Sequence, residues 1–227
     1  MTEQEWLAFD NPDAIPDFLR GRASRRKLLL LTCAQERNMQ RITPDSRFRH
    51  AVDVTEGYAD GLATDQDRQA VIERLNAVMG EALHELDFEK GADVRWFVEL
   101  VASCRDTARR VSSWNCDPAE LPVQYHEVHQ DGFHRLLSST SNGPPTVLYE
   151  IFGNPFRPVT IDPAWLTATV VSLATAIYVE RAFDRMPILA DALEDAGCDN
   201  ADILNHCRQP GEHVRGCWLL DILLAKE

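Results

Sequence analysis

Three of the six cysteines and two of the seven histidines lie near the end of the chain. The candidate metal ligands among them are Cys198, His206, His213 and Cys217. Thiolate and imidazole are the ligands that a tetrahedral zinc ion prefers. His213 and Cys217 are four residues apart, so on a helix their side chains share one face. These four residues are therefore candidate ligands of a zinc ion.

A structural role for the same residues is the competing interpretation. Cys207 and Cys217 stand among apolar helical residues, where a thiol behaves as a small hydrophobic side chain. His213 suits the entry to a helix, and the adjacent His206 and Cys207 cannot easily bind one ion together. No paired Cys-x-x-Cys motif supports a metal. Zinc is thus an alternative, and no other cofactor is expected.

The remaining candidate motifs for catalysis are weak. His126, Glu127, His129 and His134 lack the His-Glu-x-x-His spacing that places two imidazoles beside a glutamate base. A second set is acidic, and paired carboxylates can act as general acid and base only when burial or close pairing shifts a pKa. Its members are Asp184, Asp191, Glu194, Asp195, Asp199 and Asp202. With no phosphate-binding loop or nucleophile elbow, the sequence favours a non-enzymatic protein.

Composition places the chain among ordinary globular proteins. Its 227 residues are 44% hydrophobic, enough for a buried core without disulfides. No apolar run approaches the roughly 20 residues of a membrane span, and the acidic N-terminus does not resemble a signal peptide. We therefore expect a cytoplasmic protein with no membrane partner and with reduced cysteines.

Charge is unevenly distributed along the sequence. The net charge is −13, which argues against general nucleic-acid binding. Residues 20–49 nevertheless contain nine arginines and lysines but only two acids. This basic segment either pairs with acidic helices and solvent or contacts a nucleic acid; the first interpretation is favoured, because charged runs are usually solvated faces.

Helix signals dominate the first two thirds of the chain. Thr2 and Glu5 form a capping-box pattern, and Asn11-Pro12 marks a second helix start. Further helices are predicted from Ser24 to about Ile42, with Cys33 in the core, from about Ser46 to Ala59, and from Thr64 onward. The last of these and a helix carrying Val94 to Val111, with Cys104 in its apolar stripe, are predicted to form a long antiparallel hairpin.

The last third begins after the clearest linker, residues 138–145. Segment 146–152 runs into the motif IFGNPFRPV at residues 151–159, which we expect to be structural rather than an exposed docking loop. Helices are predicted from Asp162-Pro163, at about 185–196, at 200–208 and at 214–225. The fold class is therefore all-α: a multi-helix bundle with a central hairpin. Residues 1–137 form an N-terminal domain, and residues 146–227 form a C-terminal helical subdomain that can pack with it as one domain.

Several longer strings resemble a family of uncharacterised proteins expanded in planctomycete bacteria. They are MTEQEWLAF, DFLRGRASRRKLLLL, RHAVDVTEGYADGLA, IFGNPFRPVTIDPAWL, MPILADALEDAGC and HVRGCW. The resemblance covers roughly residues 1–66 and 147–227, whereas residues 67–146 depart from the family pattern. It implies a bacterial source, and it implies no reaction and no functional residue.

The sequence as a whole favours a non-enzymatic, cytoplasmic, helical protein-interaction module that binds another protein or itself. The first alternative is a zinc-binding or metal-dependent domain built on the C-terminal cysteines and histidines. The second is nucleic-acid contact through residues 20–49. The closing helix is apolar on most sides, so it should pack in the core against the helix that contains Leu166 to Ile177.

Overall fold

The computed structural model describes residues 1–9, 14–40, 46–84 and 146–226. These residues contain helices and no β-strand, which confirms the all-α prediction. Two short 3₁₀ turns, Pro163–Trp165 and Phe183–Arg185, accompany the α-helices. The α-helices are α1 (Glu3–Ala8), α2 (Ile15–Leu19), α3 (Arg25–Gln40), α4 (Ser46–Ala59), α5 (Asp65–His84), α6 (Thr146–Phe152), α7 (Ala168–Glu180), α8 (Met186–Asp195), α9 (Ala201–Arg208) and α10 (Trp218–Leu223).

The chain divides into two compact units. The first contains the described residues up to Lys27 and those from Thr146 onward; the second contains the described residues from Leu28 to His84. The predicted linker 138–145, the second hairpin helix with Cys104, and the histidines His126, His129 and His134 lie outside the described residues. The predicted domain boundary therefore stays a prediction.

Local signals in the sequence account for several helix ends. The Thr2 hydroxyl accepts from the Glu5 amide at 3.2 Å and the Glu5 carboxylate accepts from the Thr2 amide at 2.6 Å, which confirms the capping box. The Ser24 hydroxyl accepts from the Lys27 amide at 3.2 Å and so caps α3. Helix α4 has the predicted bounds, and it is followed by Gly61 at a left-handed φ of 71°.

Two predicted helices begin later than expected. Asp162-Pro163 starts only a 3₁₀ turn, and α7 begins at Ala168 with Thr167 as its N-cap. The last helix begins at Trp218 instead of residue 214, because Gly216 has a left-handed φ of 90° that interrupts helical geometry. His213 and Cys217 are consequently not on one helical face.

The core of the first unit lies between α7, α8, α9 and α10. Val170, Ala174 and Ile177 of α7 are completely buried, as are Leu219 and Leu220 of α10. These side chains belong to one cluster, and α10 contacts α7, which confirms the predicted packing of the closing helix. Trp218, in contrast, is only partly buried against this core.

The N-terminal helix α1 is anchored to the segment that follows α6. Trp6, which is 1% exposed, donates its indole N–H to the Gly153 carbonyl at 3.2 Å. Asn154 donates to the Glu3 carboxylate at 2.7 Å, and the Phe156 ring stacks on Phe18 at 5.2 Å. These contacts support the structural interpretation of IFGNPFRPV.

The second unit has its own apolar core and its own ion pairs. Leu28 to Leu31 are buried, as is Cys33, as predicted, and α4 packs against α5. Arg37 of α3 binds Glu56 of α4, which is 2% exposed, through Nε at 2.7 Å and Nη2 at 2.9 Å. In the described ranges, no helix is both long and apolar enough to cross a membrane.

Candidate metal centre

Four metal-binding side chains meet inside the first unit: Glu150, His206, His213 and Cys217. Glu150 comes from α6 and His206 from α9. His213 lies in the connection after α9, and Cys217 is the N-cap residue of α10. All four side chains are buried.

The distances within this group are short. His213 Nδ1 lies 2.8 Å from Glu150 Oε1, and His206 Nε2 lies 3.1 Å from Cys217 Sγ. His206 Nε2 is also 3.7 Å from Glu150 Oε1. One donor atom from each of the four residues lies within 4.8 Å of all the others.

These distances fit a tetrahedral ion. Donors bound at about 2.0–2.3 Å in a tetrahedron lie roughly 3.3–3.8 Å from one another. The measured separations bracket that range, so shifts of less than about 1 Å would place all four donors on one ion. Sulfur and imidazole donors with a single carboxylate suit zinc, whereas calcium and magnesium prefer oxygen donors alone.

The buried position keeps two members of the group uncharged. Burial lowers the pKa of His206 to about 4, against the opposing effect of the Glu150 carboxylate. Burial also raises the pKa of the Cys217 thiol well above its usual range, and the Glu150 charge acts in the same direction. Near neutral pH, therefore, His206 is a neutral imidazole and Cys217 a protonated thiol.

Glu150 is a buried acid whose neighbours are imidazoles and a thiol. It is 4% exposed, and among the described residues the groups within 4 Å that can carry a positive charge are the imidazoles of His206 and His213. His206 is held neutral. A buried carboxylate is stabilised by a hydrogen-bonded partner or by a metal ion, and in this structure the partner of Glu150 is the His213 imidazole at 2.8 Å.

The outer nitrogen of His206 has partners of its own. Trp218 donates its indole N–H to His206 Nδ1 at 3.2 Å, and the Gln209 side-chain amide lies 3.3 Å from the same atom. Because indole only donates, Nδ1 is then an acceptor and the proton is on Nε2, facing Cys217. Coordination through Nε2 requires the other tautomer, in which Nδ1–H donates to the Gln209 carbonyl oxygen after the amide rotates. Metal binding should therefore break the hydrogen bond between the Trp218 indole N–H and His206 Nδ1.

A cysteine nucleophile is a poorer explanation of the same contacts. A catalytic thiol requires a lowered pKa and access to substrate. Cys217 is completely buried and its pKa is raised. In addition, His206 Nδ1 accepts from Trp218, whereas a catalytic imidazole would donate from this position to an orienting acid. The geometry suits coordination better than nucleophilic attack.

Three of the four predicted ligands come together, and the fourth does not. Cys198 is absent from the group; it lies after α8, where it belongs with Cys207 to the apolar core. Burial raises the pKa of Cys207 to about 12, as expected for an inert core thiol. Glu150 was not predicted. Its signal in the sequence is a single acid within the apolar helix TVLYEIF.

The other charged candidates lie in solvent or in ion pairs. All six members of the acidic set are exposed, and Asp191 and Glu194 bind Arg208. In the basic segment, Arg37 pairs with Glu56 and Asp53 within the second unit. Neither set forms a buried pair of carboxylates, so neither supports acid–base catalysis.

Comparisons with known proteins add no family to this description. No protein-family model matches the chain, and no curated protein or solved structure is significantly similar to it.

Proposed function

We propose that this protein binds one zinc ion through Glu150, His206, His213 and Cys217. The observation that carries the proposal is the meeting of four buried donors, including a carboxylate for which the described residues supply no arginine or lysine partner. His206, His213 and Cys217 belong to the predicted ligand set, and Glu150 takes the place of Cys198. Zinc is preferred because the group combines sulfur, nitrogen and oxygen donors.

The proposed ion has a structural role. It joins α6 to the continuous segment of α9, the connection after α9 and the start of α10, from which α6 is separated in the sequence by α7 and α8. An ion that binds the folded state and not the unfolded chain stabilises the fold by mass action, about 4 kcal/mol at a thousand times the dissociation constant. The segment 209–217 has no regular helix, so it gains most from such a link.

Metal titration of the full chain tests this proposal. Protein treated with a chelator is dialysed and titrated with zinc, with binding followed by calorimetry and by thermal unfolding. We expect one equivalent of zinc per chain and a midpoint of unfolding that rises with zinc concentration. Less than about a tenth of an equivalent bound, or an unfolding midpoint that ignores zinc, would contradict the proposal.

The protein-interaction module predicted from the sequence remains a second proposal. Helix α7 carries no charged residue before Glu180, and it leaves Val171 and Val179 exposed at 36% and 64%. Exposed apolar side chains on one helix favour contact with another protein or a second copy. Light scattering over a wide concentration range tests self-association. Val179→Lys should weaken this association. Thr169→Lys, the matched control on the same helix, should affect it less.

A further inference from the structure

A cavity of about 570 Å³ lies directly beside the candidate metal centre. Its volume falls within the range of roughly 300–1,000 Å³ that small-molecule sites occupy. The walls come from α6 and the segment after it, from α9 and the connection that follows, and from α10. The cavity is therefore formed by the same segments as the metal group.

Only one edge of the metal group reaches this cavity. Glu150 and His206 line it, whereas His213 and Cys217 do not. A zinc ion held by the group would therefore have its carboxylate side toward the open space. Zinc can accept a fifth ligand, and a carboxylate ligand can shift to make room for one. The cavity side is thus where an external oxygen atom would enter.

Lys27 supplies positive charge to the same cavity. Its ammonium donates to the Ile151 carbonyl at 2.7 Å and lies 3.7 Å from Asp221 Oδ2. Asp221 already binds both terminal nitrogens of Arg26, at 2.8 and 2.9 Å, so it neutralises Lys27 only in part. Burial lowers the pKa of Lys27, which an incoming anion would oppose.

The remaining walls of the cavity are apolar and suit the apolar part of a ligand. Phe152, Trp218, Pro155 and Pro158 line the cavity. The Trp218 ring packs over Gly153, where a Cβ would lie 3.1 Å from the indole, and Gly153 has a left-handed φ of 62°. A glycine at this position lets the indole lie flat against the backbone beside the open space.

The other charged residues of the cavity wall add no net positive charge. Arg157 binds Glu3 at 2.6 Å, and Asp202 is an exposed acid that also lines the cavity. Asp202 disfavours an extended polyanion, whereas the Lys27 ammonium favours a single acidic group. The charge pattern therefore selects a small ligand with one anionic end.

We propose that the cavity binds a small organic acid, whose acidic group faces both the metal edge at Glu150 and the Lys27 ammonium while its apolar body lies along Phe152 and Trp218. This inference rests on the proposed metal site. The ligand binds to the metal-loaded protein, and no covalent step is involved.

Cobalt substitution makes the proposal testable. The full chain is loaded with one equivalent of Co²⁺, and its visible absorption is recorded during titration with benzoate, phenylphosphonate or the neutral control benzamide. We expect the two anions to change the cobalt spectrum in a saturable way and benzamide to leave it unchanged. Failure to bind cobalt would contradict the metal site itself; normal cobalt binding with no response to either anion would overturn only the ligand proposal.

Two variants locate the anion site. Asn205→Trp places a large side chain at the cavity, and Ala201→Trp is its control on an exposed position of the same helix that does not line the cavity. We expect Asn205→Trp to weaken benzoate binding at least tenfold, with cobalt stoichiometry unchanged, and Ala201→Trp to leave both unchanged. Lys27→Gln should weaken benzoate without abolishing the cobalt spectrum. Equal benzoate affinity in wild type, Asn205→Trp and Lys27→Gln would place the anion elsewhere and overturn the proposal.

Discussion

Two buried carboxylates in the same unit, Asp221 and Glu150, have very different surroundings. Asp221 is 1% exposed and receives both terminal nitrogens of Arg26, with Lys27 nearby. Glu150 is 4% exposed and lies beside two imidazoles and a thiol. Both acids are desolvated, but only one is neutralised by permanently charged side chains. The contrast shows that, among the described residues, arginine and lysine side chains lie beside Asp221 and not beside Glu150.

Asp221 is paired with charged side chains of the protein itself. Arg26 also donates to the Tyr178 hydroxyl at 2.6 Å, so its guanidinium bridges the start of α3 to α7 and α10. A bidentate arginine–carboxylate pair has defined geometry and charge-assisted hydrogen bonds. This network joins the N-terminal residues to the C-terminal core of the first unit.

The largest expected effect follows from breaking that network. Asp221→Asn removes the carboxylate that receives both terminal nitrogens of the Arg26 guanidinium, which is 12% exposed in its side chain. We expect the free energy of unfolding to fall by about 3–5 kcal/mol with or without zinc, as when one member of a buried pair is removed. Chemical denaturation measures this free energy of unfolding. The control is Asp195→Asn at an exposed position, for which we expect a change below about 0.5 kcal/mol. A similar small change for both variants would show that the Asp221 pair contributes little.

The next largest effect is on zinc affinity, and it distinguishes Cys217 from Cys207. Cys217→Ser removes the proposed sulfur ligand, and we expect zinc affinity to fall at least 100-fold. Cys207→Ser also changes a buried thiol, one that is 1% exposed but outside the metal group. It should lower stability while leaving zinc affinity within about threefold, because loss of a core contact is not loss of a ligand. Competition with a chromophoric chelator measures both affinities; equal losses in the two variants would refute the assignment of Cys217.

Zinc affinity should depend on pH through the same thiol. The raised pKa of Cys217 keeps it protonated in the metal-free protein at neutral pH, and binding must expel this proton. Affinity therefore increases with pH, by about tenfold per unit between pH 6 and 8 for one displaced proton. The lowered pKa of His206, about 4, means that this imidazole adds no proton to the balance in that range. Affinities measured in matched buffers that stay level from pH 6 to 8 would contradict a thiol ligand.

The smallest effect concerns the other buried acid. Glu150→Gln replaces a buried carboxyl group whose salt-bridge partners among the described residues are the imidazoles of His206 and His213, with no arginine or lysine. In metal-free protein we expect a change in the free energy of unfolding of less than about 1 kcal/mol, in contrast to Asp221→Asn. The same variant should bind zinc more weakly. A loss of about 3 kcal/mol or more without metal, the size expected for a broken buried pair, would mean that the protein itself already satisfies Glu150.

Much of the helical structure could be predicted because its signals are local. The capping pairs Thr2–Glu5 and Ser24–Lys27 involve residues three apart, so the sequence displays them directly. Helix α4 ends before Asp60-Gly61, as the turn residues indicate. The late start of α10 differs from the predicted 214–225, because Gly216 stands inside an apolar run that is typical of a helix and only its left-handed φ interrupts the helix.

The metal group was harder to predict because tertiary packing assembles it. His206, His213 and Cys217 are neighbours in the sequence, and the connection between α9 and α10 returns them to one point. Cys198 is equally near in sequence, but its segment directs it into the apolar core. Glu150 is separated from His206 by α7 and α8, so no spacing rule could connect them. A lone acid in an apolar helix was the available signal.

X-ray absorption at the zinc edge is the decisive measurement for the proposed centre, because it reports the atoms bound to the ion. The full chain is loaded with one equivalent of zinc, and excess metal is removed. We predict four-coordinate zinc with one sulfur at about 2.3 Å and three nitrogen or oxygen atoms at about 2.0–2.1 Å. The contribution of sulfur should disappear in Cys217→Ser and persist in Cys207→Ser. Two or more sulfur ligands, or six oxygen ligands with no sulfur, would contradict the proposed centre.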